Sequence, residues 1–238
     1  MLPLNLKLLS NWFWIICTHW LLIVSKGEII CPEDFFIFSC KQKQTLFEKV
    51  DVKQTGISFS NRIIENDSVN PIDMTNIYNG GGVGVGDFNN DGLMDLYFTG
   101  NQVANKLYLN KGNFSFEDIS SKAGFIDKKQ WSTGVTMVDI NHDGWLDIYV
   151  CNAGNMMEPE LRKNQLFINN HDLTFTESAA AYGLDNDGYT THASFFDFDM
   201  DGDLDCFIVN NSPIPVNTLN YSNARDVRAE DSKVADFL

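Results

Sequence analysis

The chain has 238 residues, 44% hydrophobic and 13% aromatic, which is enough to bury a core and argues against a disordered, collagen-like or low-complexity chain. Seventeen Lys and Arg against 32 Asp and Glu give a formal charge of −15, so a basic face for nucleic acid is not expected. The five cysteines (Cys17, Cys31, Cys40, Cys151 and Cys206) contain no CxxC pair, which argues against a zinc site or a dense disulfide framework. Cys151 and Cys206 read as small buried hydrophobes in strands.

In chain order, residues 1–40 read as an export or anchoring segment. Trp12 to Val24 form an apolar run of 13 residues, with Lys7 before it and Lys26 after it. A bilayer span needs about 20 residues, so the length suits the hydrophobic region of a secretory signal. Just downstream, Phe35-Phe36-Ile37-Phe38-Ser39 precede Cys40 and a polar tail, Lys41-Gln42-Lys43-Gln44. That order resembles a bacterial lipoprotein processing site, which makes Cys40 a lipidation candidate. An uncleaved anchor or a plain signal is the alternative. Either way the body is expected outside the cytoplasm, at the cell envelope, membrane-anchored or extracellular. Residues 41–78 read as a strand-containing lead-in.

Residues 79–238 are built from repeats. One nine-residue pattern, D-[FI]-[DN]-x-D-G-x-[LM]-D, occurs at 87–95, 139–147 and 197–205, with starts 52 and 58 residues apart. A second element, NKLYLN at 105–110, returns as NQLFIN at 164–169, and Phe116 and Gly124 return as Phe175 and Gly183. Two independent elements with nearly one period point to an array such as a propeller. The nine-residue segments are flanked by short β-branched or aromatic runs: Val83–Val85, Val135–Val138 and Ala193–Phe196 before them, Leu96–Thr99, Ile148–Cys151 and Cys206–Val209 after them. LYLN, LFIN and the alternating GNFSFEDI and DLTFTES add further strands. Residues 118–124 and 177–183 have room for a helical turn or two.

The nine-residue segments carry the chemistry. Asp or Asn at positions 1, 3, 5 and 9 gather oxygens on one side of a tight loop, and Gly at position 6 allows the reversal. Oxygen-only ligation with several carboxylates is calcium chemistry. Without a cation, so many carboxylates repel one another. The three loops hold eleven of the 32 acidic residues. An EF-hand needs an acid at position 12, and Phe98, Val150 and Ile208 stand there, so that reading fails. Plain Asx-Gly hairpin turns remain the simpler account for any one loop, but less so for three in register.

These loops resemble the calcium loops of FG-GAP (VCBS-type) repeats, the β-propeller repeats also found in integrin α chains. Thr55–Phe59, Tyr78–Asp87, Trp131–Val135 and Phe195–Asp197 extend the likeness to bacterial envelope proteins that often carry an ASPIC/UnbV domain. The resemblance covers about 46–238 and implies an all-β fold, a partial propeller of about three blades. It also implies three structural calcium sites. Asp87, Asn89, Asp91 and Asp95 would bind one ion with the Leu93 carbonyl. Asp139, Asn141, Asp143 and Asp147 would bind a second with the Trp145 carbonyl. Asp197, Asp199, Asp201 and Asp205 would bind a third with the Asp203 carbonyl, the Asp203 side chain facing solvent. Family propellers usually close with seven blades. Ala235–Leu238 resemble the start of a further outer strand, so a truncated N-terminal portion is expected.

Other signals carry less. Gly80–Gly86 lacks a following Gly-Lys-Ser/Thr and reads as close strand packing rather than a phosphate loop. His142 and His171 read as solvated turn residues, and His192 as a core or rim residue. Asn66, Asn113 and Asn220 begin glycosylation sequons that matter only in a eukaryotic source. No nucleophile–base set is visible, so no catalytic residue is assigned. The leading expectation is a non-enzymatic calcium-binding module that binds a protein or glycan, with membrane attachment through the amino terminus. A propeller enzyme acting on glycans, or a fragment without function of its own, is the alternative.

Overall fold

The computed structural model describes residues 46–67, 69–71, 77–125, 130–154 and 158–211, together with the backbone of Ser232–Asp236. The chain divides into units 1–48 and 49–238, and the second holds the fold described below. The signal or anchor segment and Cys40 lie outside the described residues. Among the described residues no helix is long and apolar enough to cross a membrane.

Among the described residues eleven strands form three antiparallel sheets. Sheet 1 is β1 (Val83–Gly86), β2 (Asp95–Phe98), β3 (Lys106–Asn110) and β4 (Phe116–Asp118), paired in chain order. Sheet 2 repeats this with β5 (Ser132–Val138), β6 (Asp147–Asn152), β7 (Gln165–Asn169) and β8 (Phe175–Glu177). Sheet 3 has β9 (Thr190–Phe196), β10 (Asp205–Asn210) and β11 (Ser232–Asp236), with β10 in the middle. Each nine-residue loop joins the first two strands of its sheet. The strands expected in the repeats are present with shifted ends: β5 and β9 begin three residues earlier than read, and β4 and β8 are shorter than the alternating runs that marked them. The C-terminal stretch read as an outer strand pairs with β10, Cys206 opposite Ala235.

The sheets bury apolar side chains against one another. Phe88, Tyr97 and Leu107 of sheet 1 meet Val135, Ile148 and Val150 of sheet 2 in one core. Ile140, Tyr149 and Leu166 on the opposite face of sheet 2 meet Ala193, Cys206 and Ile208 of sheet 3 in a second. The alternation of side chains along each strand makes this possible, since one strand serves both cores. Cys151 and Cys206 are buried free thiols, as read from sequence, and burial pushes the Cys206 thiol up to about 12.

First strands of neighbouring sheets approach closely. A Cβ on Gly84 would fall on the Met137 side chain, and one on Gly134 on the Thr191 carbonyl. The glycine run at 80–86 is therefore a packing device. Hydroxyls complete the seam: Thr99 Oγ1 donates to the Thr133 carbonyl at 2.5 Å, and Thr133 Oγ1 to that of Thr190 at 2.6 Å.

Between sheets the chain makes a helical turn. Helix α1 (Val52–Thr55) ends on Gly56 at φ +71°, and α2 (Ser120–Ala123) ends on Gly124 at φ +87°. Gly183, at φ +69°, closes the matching turn after sheet 2. Only glycine takes these left-handed caps without strain. The next residue is apolar each time: Ile57, Phe125 and Leu184. Phe125 stacks edge-on against Tyr97 and Phe167, and Leu184 is fully buried in the second core. The lead-in, expected to contain strands, instead has this helical turn and an isolated Asn66–Val69 bridge among its described residues. Of its apolar residues, Phe59 stacks on Phe98 of sheet 1, centroids 5.1 Å apart.

Candidate metal centres

Each loop folds by the same local logic. Position 1 accepts from two backbone N–H groups: Asp87 from Asp91 and Gly92 (3.1 and 2.7 Å), Asp139 from Asp143 and Gly144 (3.0 and 2.8 Å), Asp197 from Asp201 and Gly202 (both 3.1 Å). The position 3 oxygen of Asn89, Asn141 or Asp199 accepts from the position 5 N–H at 3.2–3.3 Å. Asp91, Asp143 and Asp201 accept from the N–H of Leu93, Trp145 and Asp203 at 2.8, 2.8 and 2.9 Å. Such Asx turns favour Asp and Asn at these positions. Positions 4 and 6 are left-handed throughout: Asn90, His142 and Met200 at φ 55°, 55° and 62°, Gly92, Gly144 and Gly202 at 85°, 84° and 100°.

Position 9 ties the loop to the sheet. Asp95 and Asp147 are fully buried. Asp95 accepts from Phe88 N–H at 3.0 Å and, across the sheet, from Asn110 N–H at 2.8 Å. Asp147 does the same with Ile140 and Asn169, at 3.1 and 2.8 Å. Asp205 accepts from Phe198 N–H at 2.7 Å and is half-buried.

Hydrogen bonds thus tie the side chains at positions 1, 3, 5 and 9 into each loop, and among the described residues the third loop holds the group of three carboxylates near enough to share one ion. Oxygens of Asp197, Asp199 and Asp205 lie within 4.8 Å of one another. Leu93, Trp145 and Asp203 take part in these loops through their N–H groups, and the Asp203 side chain is exposed.

The electrostatics are those of crowded negative charge. Burial, with Asp143 and Asp139 adding to it, pushes the Asp147 carboxyl up to about 6. Asp95 is raised by burial and by Asp91 and Asp87, and Asp199 by desolvation and by Asp201 and Asp205. Among the described ion pairs, no Lys or Arg reaches a loop carboxylate. An all-oxygen, carboxylate-rich donor set short of positive charge suits a hard divalent cation.

His171 is the exposed turn residue read from sequence, with a contact that reading did not include. It lies in the β7–β8 turn, yet its Nε2 is 2.9 Å from Asp143 Oδ2 and its ring stacks on Trp145, centroids 4.8 Å apart. The His171 contact lowers the Asp143 carboxyl. Sequence spacing gave no sign of this, because the partners sit on different hairpins.

Residues 87–150 match the FG-GAP-like repeat family. Cartilage acidic protein 1 of Xenopus tropicalis is 31% identical over 163 residues, which is 68% of this chain and 24% of that protein. The Mus musculus and Homo sapiens proteins of the same name are each 36% identical, over 69 and 72 residues, covering 29% and 30% of this chain and 11% of theirs. The chain thus spans about a quarter or less of the curated relatives it matches. A repeat match centred on two of the three loops and a relative aligned with most of the chain converge: this is an FG-GAP-type repeat protein.

Proposed function

We propose that the chain is a non-enzymatic scaffold segment whose three sheets are blades of a partial β-propeller, each pinned by a structural calcium ion in its aspartate loop. One observation carries the reading: three loops of one geometry, each crowding carboxylates that no Lys or Arg of the described residues offsets. The ligands are the side chains at positions 1, 3, 5 and 9 and the position 7 carbonyl, numbered as above. The ion supplies the charge compensation and rigidity that the loop lacks. The surface so held binds a protein or glycan partner. Export to the envelope or extracellular space fits relatives named for cartilage, and membrane attachment through residues 1–40 is the form of that export read from sequence.

The full chain, melted in excess calcium and then in chelator, tests this. Each site adds RT ln(1 + [L]/Kd), about 2.7 kcal/mol at a hundredfold excess over Kd. A large upward shift in Tm is expected, and calorimetric titration should count one ion per loop. Asp143→Ala should remove one ion and leave the others. Equal melting in both buffers, or an unchanged ion count in that variant, refutes the calcium reading.

A further inference from the structure

The first two loops are tied to each other as well as to their own sheets. Asn169, the last residue of β7, is 2% exposed, and both the amide nitrogen and the oxygen of its side chain are used. Its backbone N–H donates to Asp147, position 9 of the second loop, at 2.8 Å. Its Nδ2 donates to the carbonyl of Leu146, position 8 of that loop, at 3.2 Å. The same Nδ2 also crosses to sheet 1 and donates at 2.9 Å to the carbonyl of Phe88, position 2 of the first loop. Asn169 Oδ1 accepts from the His171 N–H at 3.0 Å, which sets the orientation of the amide.

Asn110 separates the local part of this pattern from the bridge. It holds the same place in sheet 1, where its N–H donates to Asp95 and its Nδ2 to the Met94 carbonyl, both at 2.8 Å. Those bonds serve one loop. The bond from Asn169 to Phe88 is buried and joins residues 81 apart in the chain.

Two further contacts cross at the same level. Asn90 Nδ2, from position 4 of the first loop, donates to the carbonyl of Gly144, position 6 of the second, at 3.2 Å. Leu146 lies so close to Gly86, the residue before the first loop, that a Cβ there would come within 2.7 Å of its side chain. Phe88 itself is fully buried, and its N–H donates to Asp95 at 3.0 Å. A continuous path therefore runs from Asp147 through Asn169 and Phe88 to Asp95.

Phe88 stands between Asp87 and Asn89, two of the groups assigned to the first ion. Holding its carbonyl and its N–H fixes the peptide planes on either side, from which both ligands extend. An ion in the second loop would draw Asp139, Asn141, Asp143 and Asp147 onto one point and hold the Leu146–Asp147 backbone still. The ordering of Asn169 and Phe88 is then already complete when the first loop fills, so the second ion is spared that cost.

We propose that Asn169 couples the first two loops, so that an ion in either one raises the affinity of the other; this rests on the calcium sites proposed above. Such coupling is reciprocal, each ion changing the other's affinity by the same factor.

Nuclear magnetic resonance titration of the full chain with calcium tests this loop by loop, because Gly92, Gly144 and Gly202 each donate their N–H to the position 1 carboxylate of their own loop. In the wild type the Gly92 and Gly144 amides should titrate steeply and together. Asp143→Ala should move the Gly92 midpoint to about tenfold higher calcium, and Asp91→Ala should move the Gly144 midpoint by the same factor. In an Asn169→Ala background, which keeps the backbone N–H that holds Asp147, both shifts should largely disappear. Circular dichroism in saturating calcium checks the fold of each variant, and Asn169→Ser, shorter but still polar, repeats the test if Asn169→Ala fails to fold. Glycine amides that ignore calcium altogether refute the calcium reading and this inference with it. Amides that respond to calcium with midpoints unmoved by substitution in the other loop refute this inference alone. So does a shift at one loop without an equal shift at the other, or shifts that persist at full size without the Asn169 side chain.

Discussion

The loops of sheets 2 and 3 are alike in sequence and in hydrogen bonding and unlike in burial. In both, position 1 accepts from the N–H groups of positions 5 and 6, and position 9 accepts from that of position 2. Yet Ile140 is 9% exposed and Phe198 74% exposed. The same contrast separates Asp147, fully buried, from the half-buried Asp205. Loop shape is thus set within nine residues, whereas the low-dielectric setting of its anchor comes from the neighbouring sheet. Two loops of one geometry should then differ in what a substitution costs.

The largest difference is expected at position 9. In chelator, Asp147→Ala leaves the Ile140 and Asn169 N–H groups without their acceptor in a buried site, at about 2–4 kcal/mol. Asp205→Ala, half in water, should cost about 1 kcal/mol. Urea denaturation of both variants measures the gap. Equal losses would mean that burial does not govern the anchor.

A second, smaller contrast sets sheet 2 against sheet 1. The Tyr149 hydroxyl donates to the Leu184 carbonyl at 2.9 Å and accepts from Asn164 Nδ2 at 3.0 Å. The equivalent Tyr97 hydroxyl is buried with the Asn105 side chain beside it and no acceptor such as the Leu184 carbonyl. Tyr149→Phe should lose about 1 kcal/mol and Tyr97→Phe close to nothing. A loss at Tyr97 as large as that at Tyr149 would reveal an acceptor for its hydroxyl.

The smallest effect is expected at His171. Its contact with Asp143 is solvent-accessible, so His171→Ala should leave the urea midpoint almost unchanged. A larger loss would show that the stack on Trp145 carries more than the ion pair.

The repeat, its strands and the sheet pairing were legible in the sequence because loop and strand signals are local and recur in register. Gly124 and Gly183 are visible as a pair, and the helical turn expected within 118–124 is present, whereas 177–183 folds as hydrogen-bonded turns. Gly56 was missed although Thr55-Gly56-Ile57 follows the pattern of Ala123-Gly124-Phe125, because the spacing to it is 68 residues rather than 59. The contact of His171 with Asp143 was illegible for another reason. It depends on how far one hairpin tip leans toward another, which no spacing encodes. The bareness of Phe198 and Val85 was hidden too, since an apolar residue in a strand looks the same whether or not a sheet covers it. The Asx turns at positions 1, 3 and 5 were readable because they form within one short segment.

The buried aspartate at position 9 has a consequence for how such chains grow. Asp95 is held by its own loop and by the next strand of its sheet, and Asp147 repeats this. The partners that hold these anchors lie within a single stretch of gene. Duplicating that stretch copies the site whole, with no matching change needed elsewhere. Selection can then vary the number of copies and the exposed tips independently, and each new copy arrives with its staple already in place.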